Sequence, residues 1–184
     1  MSLIKTTSYD QVEIIKNIVD LHLQGEPIEL DPTFSKGVFY KCGTVTPPSL
    51  KFDLFPQTDD TVMASAEKLP VECGSISSIM FDPPFVVGHT KSKPSGIIGE
   101  RFHGFPYIKD LWEWYDECLK EHFRVLKDGG YLIFKCQDTV SSGKQYLSHV
   151  HIINKAEEIG FYTKDIFILL AKSRLIGHNH KNQK

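Results

Sequence analysis

The most chemically suggestive stretch of the sequence is Asp82-Pro83-Pro84-Phe85, in which a carboxylate precedes two prolines and an aromatic ring. It follows the apolar run 76–81, whose pattern predicts a buried strand. Because proline fixes its own backbone torsion, two prolines make a rigid elbow where the strand ends. A carboxylate and a backbone carbonyl held by such an elbow can serve as oriented hydrogen-bond acceptors for a ligand. The tetrapeptide alone is also compatible with a strand-ending turn that packs its phenylalanine.

Two more aspartates, Asp31 and Asp53, also stand where a predicted strand ends. In open parallel sheets, ligands bind outside the carboxyl ends of the strands. Asp31, Asp53 and Asp82 are therefore expected to line one edge of a sheet. Any single aspartate is as readily explained as a turn former or helix cap. Three aspartates, each at the end of a predicted strand, favour a ligand-binding site at this edge of the sheet.

Helical and strand patterns alternate along the chain, which predicts a mostly parallel sheet with helices on both faces. Ser8 is the expected cap of the first helix. The pattern predicts helices over 8–27, 107–130 and 143–161 and strands over 27–34, 50–56, 61–70, 74–85, 130–138 and 163–172. We expect one α/β domain over 1–184, comprising an N-terminal helical segment (1–27), a mobile loop (86–106) and a polar tail (173–184).

The composition argues against several classes of protein. The net charge of -2 provides no global basic field, so contact with nucleic acid would depend on local patches. The four cysteines form no C-x-x-C pair, which argues against a zinc site. There is no signal-peptide pattern, and no apolar run approaches the roughly 20 residues that span a bilayer. We therefore expect a cytoplasmic protein with no membrane partner and no metal.

The motif Asp82-Pro83-Pro84-Phe85 resembles the D/N/S-P-P-Y/F motif of S-adenosylmethionine-dependent methyltransferases that act on exocyclic amino groups, chiefly DNA adenine-N6 and cytosine-N4 methylases. The flanking segment 63–85 resembles that family's passage around the motif, and 123–135 resembles its helix-to-fifth-strand turn. The segment 29–39 resembles a weakened form of the family's "DPFxGSGT" cofactor loop. The resemblance covers about residues 28–140 and implies a Rossmann-like class I methyltransferase fold.

For the elbow, the resemblance implies a defined chemistry. Asp82 and the carbonyl of Pro83 would hydrogen-bond the two N–H groups of a base amine and localise its lone pair. Pro84 would stiffen the elbow, and Phe85 would stack on a base flipped out of its duplex. Methyl transfer would then depend on positioning, without a metal or a covalent enzyme nucleophile.

The resemblance also implies how S-adenosylmethionine would bind. The turn after the first strand would approach its methionine part, Asp53 would accept hydrogen bonds from the ribose, and the segment after the third strand would lie beside the adenine. Two departures from the family weaken this pattern: Ser35 replaces a glycine, and Ser65 replaces an aspartate, for which Glu67 could substitute. The cofactor residues expected from the resemblance are Asp31, Pro32, Thr33, Phe34, Gly37, Asp53, Ser65 and Ala66.

Basic residues near the elbow are candidates for contact with substrate. The loop 86–106 carries Lys91, Lys93 and Arg101, and it reads either as a lid that contacts phosphates or as a solvated surface loop. Lys135 follows the fifth strand and could also touch the substrate. Cys136 is interpreted as an ordinary strand residue, because no Pro-Cys pair of the cytosine-C5 methylase type is present.

The family's last, antiparallel strand is not visible in the sequence, so strand 163–172 would be left as an exposed edge for a partner subunit or a second copy. The function expected is methyl transfer to an amino group of a DNA base, with adenine N6 favoured over cytosine N4. An RNA-directed amino-methyltransferase and a non-catalytic binding module with the same fold remain alternatives.

Overall fold

The computed structural model describes residues 3–85, 87 and 105–171. Nine strands lie in this part of the chain: β1 Thr7–Ser8, β2 Leu30–Asp31, β3 Leu50–Asp53, β4 Val62–Met63, β5 Ile76–Phe81, β6 Leu126–Phe134, β7 Thr139–Ser141, β8 Lys144–Tyr146 and β9 Ile168–Leu169. It also contains three α-helices and a short 3-10 helix: α1 Gln11–His22, the 3-10 helix Val38–Tyr40, α2 Ile108–Val125 and α3 Ser148–Ile159.

Five of the strands form one all-parallel sheet in the order β4-β3-β2-β5-β6. The predicted α/β class with a parallel sheet is therefore confirmed. From β2 the chain adds strands first on one side, β3 and β4, and then on the other, β5 and β6. The order thus reverses between β2 and β5, and at such a switch point the loops diverge and leave a crevice for a ligand.

Apolar side chains bury both faces of this sheet, because successive residues of a strand point to opposite sides. On one face, Met80 packs in a cluster with Ile15 and Val19 of α1. On the other face, Phe81 belongs to a cluster that includes Cys118 of α2. Helix α3 packs in turn against α2. The sheet edge that carries the candidate site is therefore supported from both sides.

The helices begin and end at residues that differ from the prediction. Helix α1 is capped by Asp10 rather than Ser8: the Asp10 carboxylate accepts a hydrogen bond from Val12 N at 2.8 Å, and the Ser8 hydroxyl donates to Glu13 instead. Helix α2 ends at Val125, and β6 starts at once at Leu126 instead of at residue 130. Pairing of Leu126 with Ile76 of β5 pulls these residues into the sheet.

The start of the third predicted helix is also wrong. Residues 139–146 form an antiparallel hairpin, β7 with β8, and α3 begins only at Ser148. At its turn, Ser142 and Gly143 both have positive φ, 51° and 78°. That combination produces the tight turn whose twist suits a two-residue hairpin.

Of the predicted sixth strand, 163–172, the described residues 163–171 contribute only Ile168 and Leu169 to a strand, which lies outside the five-stranded sheet. These two residues pair in parallel with β1. Within the described ranges, the five-stranded sheet has no antiparallel strand. In the same part of the chain, no helix has the length and apolar character needed to cross a bilayer.

Candidate active site at the carboxyl edge of the sheet

The three aspartates singled out from the sequence lie at the same edge of the sheet. Asp31 ends β2, Asp53 ends β3, and Asp82 directly follows Phe81, the last residue of β5. Asp31 and Asp82 stand at the carboxyl ends of the two strands that flank the switch point. The sequence pattern thus identified the correct ends of the strands, whereas the structure decides what each carboxylate contacts.

Asp31 points into the protein. It is 1% exposed, and it accepts hydrogen bonds from Thr33 N at 2.9 Å and from the Tyr40 hydroxyl at 2.9 Å. Burial raises the pKa of Asp31 to about 7, although these hydrogen bonds oppose the rise. The Asp31 side chain therefore supports the turn after β2 from inside the protein, and the expectation that the backbone of this turn approaches a cofactor stays a prediction.

Thr33 connects the two strands of the switch point. Its hydroxyl lies 3.2 Å from Asp31 Oδ1 as a donor, and it accepts a hydrogen bond from Asp82 N at 2.9 Å. A single hydroxyl can do both because it carries one proton and two lone pairs. The turn after β2 therefore holds the first residue of the elbow after β5.

The turn itself contains two residues in the left-handed region, Ser35 with φ 54° and Gly37 with φ 60°. Ser35 therefore has a left-handed backbone conformation that glycine adopts at less cost. The replacement of a glycine by Ser35, noted in the sequence, is thus unfavourable for the backbone of this turn. The Phe34 ring stacks on Tyr40 with centroids 5.6 Å apart, and a Cβ on Gly37 would lie 2.5 Å from that ring. Pro32 is fully buried. The turn is consequently packed and not an open loop.

Asp53 holds this turn from the neighbouring strand. Its Oδ2 accepts a hydrogen bond from Ser35 N at 2.8 Å, and its Oδ1 accepts one from Phe55 N at 2.7 Å. Each carboxylate oxygen has two lone pairs, so the half-buried Asp53 retains acceptor capacity for a hydroxyl group.

The two residues expected beside the adenine have different surroundings. Ser65 is half-buried and makes an isolated bridge with Lys68. Ala66 is 5% exposed and belongs to the apolar core with Phe52 and Leu69. Ala66 is therefore a core residue, and Ser65 is the one of the pair that an edge ligand can reach.

The elbow residues are held from several directions. Pro83 is buried, while Pro84 and Phe85 are half-buried. The Pro84 carbonyl accepts a hydrogen bond from the Tyr115 hydroxyl at 2.7 Å. Among the described residues, none donates a hydrogen bond to the Pro83 carbonyl. The sequence pattern predicted for Tyr115 only a place in the helix over 107–130, although a buried tyrosine hydroxyl calls for a partner.

Asp82 forms an ion pair with Lys135, whose Nζ lies 3.0 Å from Oδ1. Burial raises the pKa of Asp82, and the Lys135 ammonium opposes that rise. The expected contact of Lys135 with a substrate stays a prediction, and in the structure its ammonium lies against the candidate catalytic carboxylate. The other basic candidates, Lys91, Lys93 and Arg101, lie outside the described residues.

Cys136 is half-buried, and burial raises the pKa of its thiol to about 11. A thiol with so high a pKa is a poor nucleophile at neutral pH. Across 3–85, 87 and 105–171, no group of three or more His, Cys, Asp or Glu side chains could hold a metal ion.

Comparison of the chain with protein-family models finds no match, and comparison with curated proteins likewise finds none.

Proposed function

We propose that this chain is a Rossmann-like class I methyltransferase that uses S-adenosylmethionine to methylate an exocyclic amino group of a nucleic-acid base. DNA is the favoured polymer, and adenine N6 is favoured over cytosine N4. The observation that carries the proposal is the pair of acceptors on the elbow, the Asp82 carboxylate and the Pro83 carbonyl, beside the switch point between β2 and β5.

The strand order supports this fold assignment. Numbered along the sheet-forming part of the chain, β4-β3-β2-β5-β6 corresponds to 3-2-1-4-5, the first five strands of the classic doubly wound order. In that arrangement an acidic residue on the second strand hydrogen-bonds a ribose, which is the position of Asp53.

The elbow supplies what an amino nucleophile needs. A base amine is a weak nucleophile, because its lone pair is conjugated with the ring. Asp82 and the Pro83 carbonyl would accept its two N–H groups and localise that lone pair on nitrogen. The C–N bond then forms as the methyl–sulfur bond breaks, and the extra proton on nitrogen leaves to the carboxylate or to water. Phe85 would stack on the base, a contact worth about 1–3 kcal/mol in other systems.

The residues at the edge fit the cofactor chemically. S-adenosylmethionine supplies an electrophilic methyl group on a sulfonium. Asp53 has acceptor capacity left for a ribose diol, and Ser65 remains accessible beside β4. The turn that would carry the methionine part is Asp31 to Gly37, and the carboxylates of Asp31 and Asp53 fix its backbone by accepting hydrogen bonds from Thr33 N and Ser35 N.

The test is transfer of radiolabelled methyl from S-adenosylmethionine to mixed-sequence duplex DNA and, separately, to total RNA. Wild type, Asp82→Ala and the control Asp128→Ala are compared; Asp128 is exposed near the start of β6, far along the strand from the elbow. We expect label in DNA from wild type and Asp128→Ala and none from Asp82→Ala. Label in RNA alone would replace DNA by RNA as the substrate. Equal labelling by all three proteins would refute the role of Asp82.

One observation favours the non-catalytic alternative, namely the Phe34 ring packed against Gly37 inside the turn. Thermal unfolding with S-adenosylhomocysteine separates the two functions. A site filled at about 100 times its Kd adds roughly 2.7 kcal/mol of stability. No stabilisation and no methyl transfer would leave the binding module as the better description.

A further inference from the structure

Lys135 meets the candidate catalytic carboxylate because of the register between two strands. Phe134 of β6 lies opposite Phe81 of β5, and Lys135 N donates a hydrogen bond to the Phe81 carbonyl at 2.9 Å. The next residue on each strand, Lys135 and Asp82, therefore leaves the sheet side by side. Their ion pair, 3.0 Å from Nζ to Oδ1, follows from pairing in the sheet and not from chance contact of two surface side chains.

The two oxygens of Asp82 are not equivalent. Oδ1 is shielded from solvent and, within the described residues, accepts no hydrogen bond, so its contact with Lys135 is that of an ion pair alone. The side chain as a whole nevertheless keeps 24% of its exposure, so the accessible part of the carboxylate is on the Oδ2 side. Lys135 thus lies against the shielded oxygen, and Oδ2 is the oxygen left for a ligand.

Lys135 is restrained on a second side. Its Nζ lies 5.0 Å from the centre of the Phe39 ring, a cation–π distance. An ammonium between a carboxylate and an aromatic face has a defined position, whereas a lysine that grips a phosphate must extend into solvent. Lys135 is therefore placed to hold the Asp82 carboxylate in position.

We propose that Lys135 is a positioning residue for the methyl transfer: it occupies Oδ1 of Asp82 and leaves Oδ2 as the acceptor for the substrate amine. The inference rests on the proposed function and differs from a role for Lys135 in binding the polynucleotide. The same ammonium also opposes the rise that burial causes in the pKa of Asp82.

Three substitutions test this role: Lys135→Met, which removes the charge; Lys135→Arg, which keeps it; and Lys155→Met as the matched control. Lys155 also makes an ion pair of 3.0 Å, with Glu158, and its side chain is 30% exposed against 31% for Lys135. It lies on α3, away from the elbow. Thermal unfolding of each variant establishes that it is folded.

We expect Lys135→Met to lower kcat by roughly 100-fold, as a misplaced catalytic group does, with little change in KM for the polynucleotide. The acid limb of its kcat/KM profile should move to higher pH, because the pKa of Asp82 rises without the cation. Lys135→Arg should restore most of kcat, and Lys155→Met should behave as wild type. The inference would be overturned if Lys135→Met raised KM for the polynucleotide and made it less dependent on salt, while kcat and the acid limb stayed unchanged. Lys135 would then be assigned to binding a phosphate.

A second measurement does not depend on activity. NMR titration of the Asp82 carboxyl in wild type and Lys135→Met reports the ion pair directly. A higher pKa of Asp82 in the variant supports the positioning role, and an unchanged pKa overturns it. If wild type transfers no methyl group, the proposed function fails, and this titration still decides whether Lys135 controls Asp82.

Discussion

Thr33 Oγ1 accepts a hydrogen bond from the Asp82 amide at 2.9 Å, so the turn after β2 holds the elbow after β5. The two residues are separated by 49 positions in the sequence. The bond crosses the switch point, where no strand pairing ties the two loops together. It makes the geometry of the elbow depend on the turn expected to carry the cofactor.

Thr33→Val is expected to reduce methyl transfer, and Thr33→Ser to retain most of it. Valine has nearly the same shape but leaves Asp82 N without its acceptor, while serine keeps the hydroxyl. Loss of the acceptor for a buried amide costs about 1–3 kcal/mol, and for the part-buried amide of Asp82 a loss towards the lower end should appear in the rate of methyl transfer as well as in stability. Single-turnover rates and urea denaturation of the two variants provide the measurement. Equal rates in both variants would show that the hydroxyl does not position the elbow.

Gly37→Ala is expected to destabilise the fold more than Gly43→Ala. Both glycines have positive φ, 60° and 73°, so both substitutions carry the cost of a left-handed alanine, about 1–2 kcal/mol. Only at Gly37 would the new Cβ also meet the Phe34 ring, at 2.5 Å; at Gly43 nothing lies within 4 Å. Overpacking of this kind typically adds about 1–3 kcal/mol. Urea denaturation measures the difference, and equal losses would mean that Phe34 moves aside freely.

Asp31→Asn is expected to change how stability depends on pH. The pKa of Asp31 is raised from 3.8 to about 7 in the folded state. Between these values the folded protein keeps a proton that the unfolded chain has released, so Asp31 lowers stability as pH rises through the window. Asparagine cannot titrate, so the variant should lose this slope. The free energy of unfolding, measured from pH 4 to 8 in both proteins, should diverge, and parallel curves would contradict the raised pKa.

His122→Leu is expected to stabilise the fold, most of all at acid pH. His122 is fully buried against Phe81, and within the described residues neither of its ring nitrogens has a hydrogen-bond partner. Burial lowers its pKa from 6.5 to about 3. Between these values the unfolded chain binds a proton that the folded state excludes, so His122 costs stability as pH falls.

Leucine has a similar volume and no proton to bind. The stability gained by His122→Leu should therefore grow as pH is lowered from 6.5 towards 4, in chemical denaturation at each pH. A gain that is constant with pH would mean that His122 is not excluded from protonation in the folded state. The slopes of Asp31 and His122 have opposite signs, so the contributions of these two residues largely cancel in wild type where their windows overlap.

Much of the fold followed from local pattern. The alternation of apolar strands and amphipathic helices predicted the parallel sheet, and aspartates after apolar runs predicted the edge where Asp31, Asp53 and Asp82 lie. These features are encoded within a few neighbouring residues. The hairpin at Ser142 and Gly143 was missed because its turn depends on φ values that residue type alone does not fix.

The partners of the site residues were decided only by tertiary structure. The sequence placed Lys135 near a substrate and Asp31 near a cofactor, and it had no reason to join Lys135 to Asp82, Thr33 to the elbow, or Tyr115 to Pro84. Each of these contacts links residues more than 30 positions apart in the chain. The amino-acid sequence determined which groups stand at the strand ends, because strand and turn propensities are local. The register of the sheet and the packing of α2 determined what each group touches, because those depend on the whole fold.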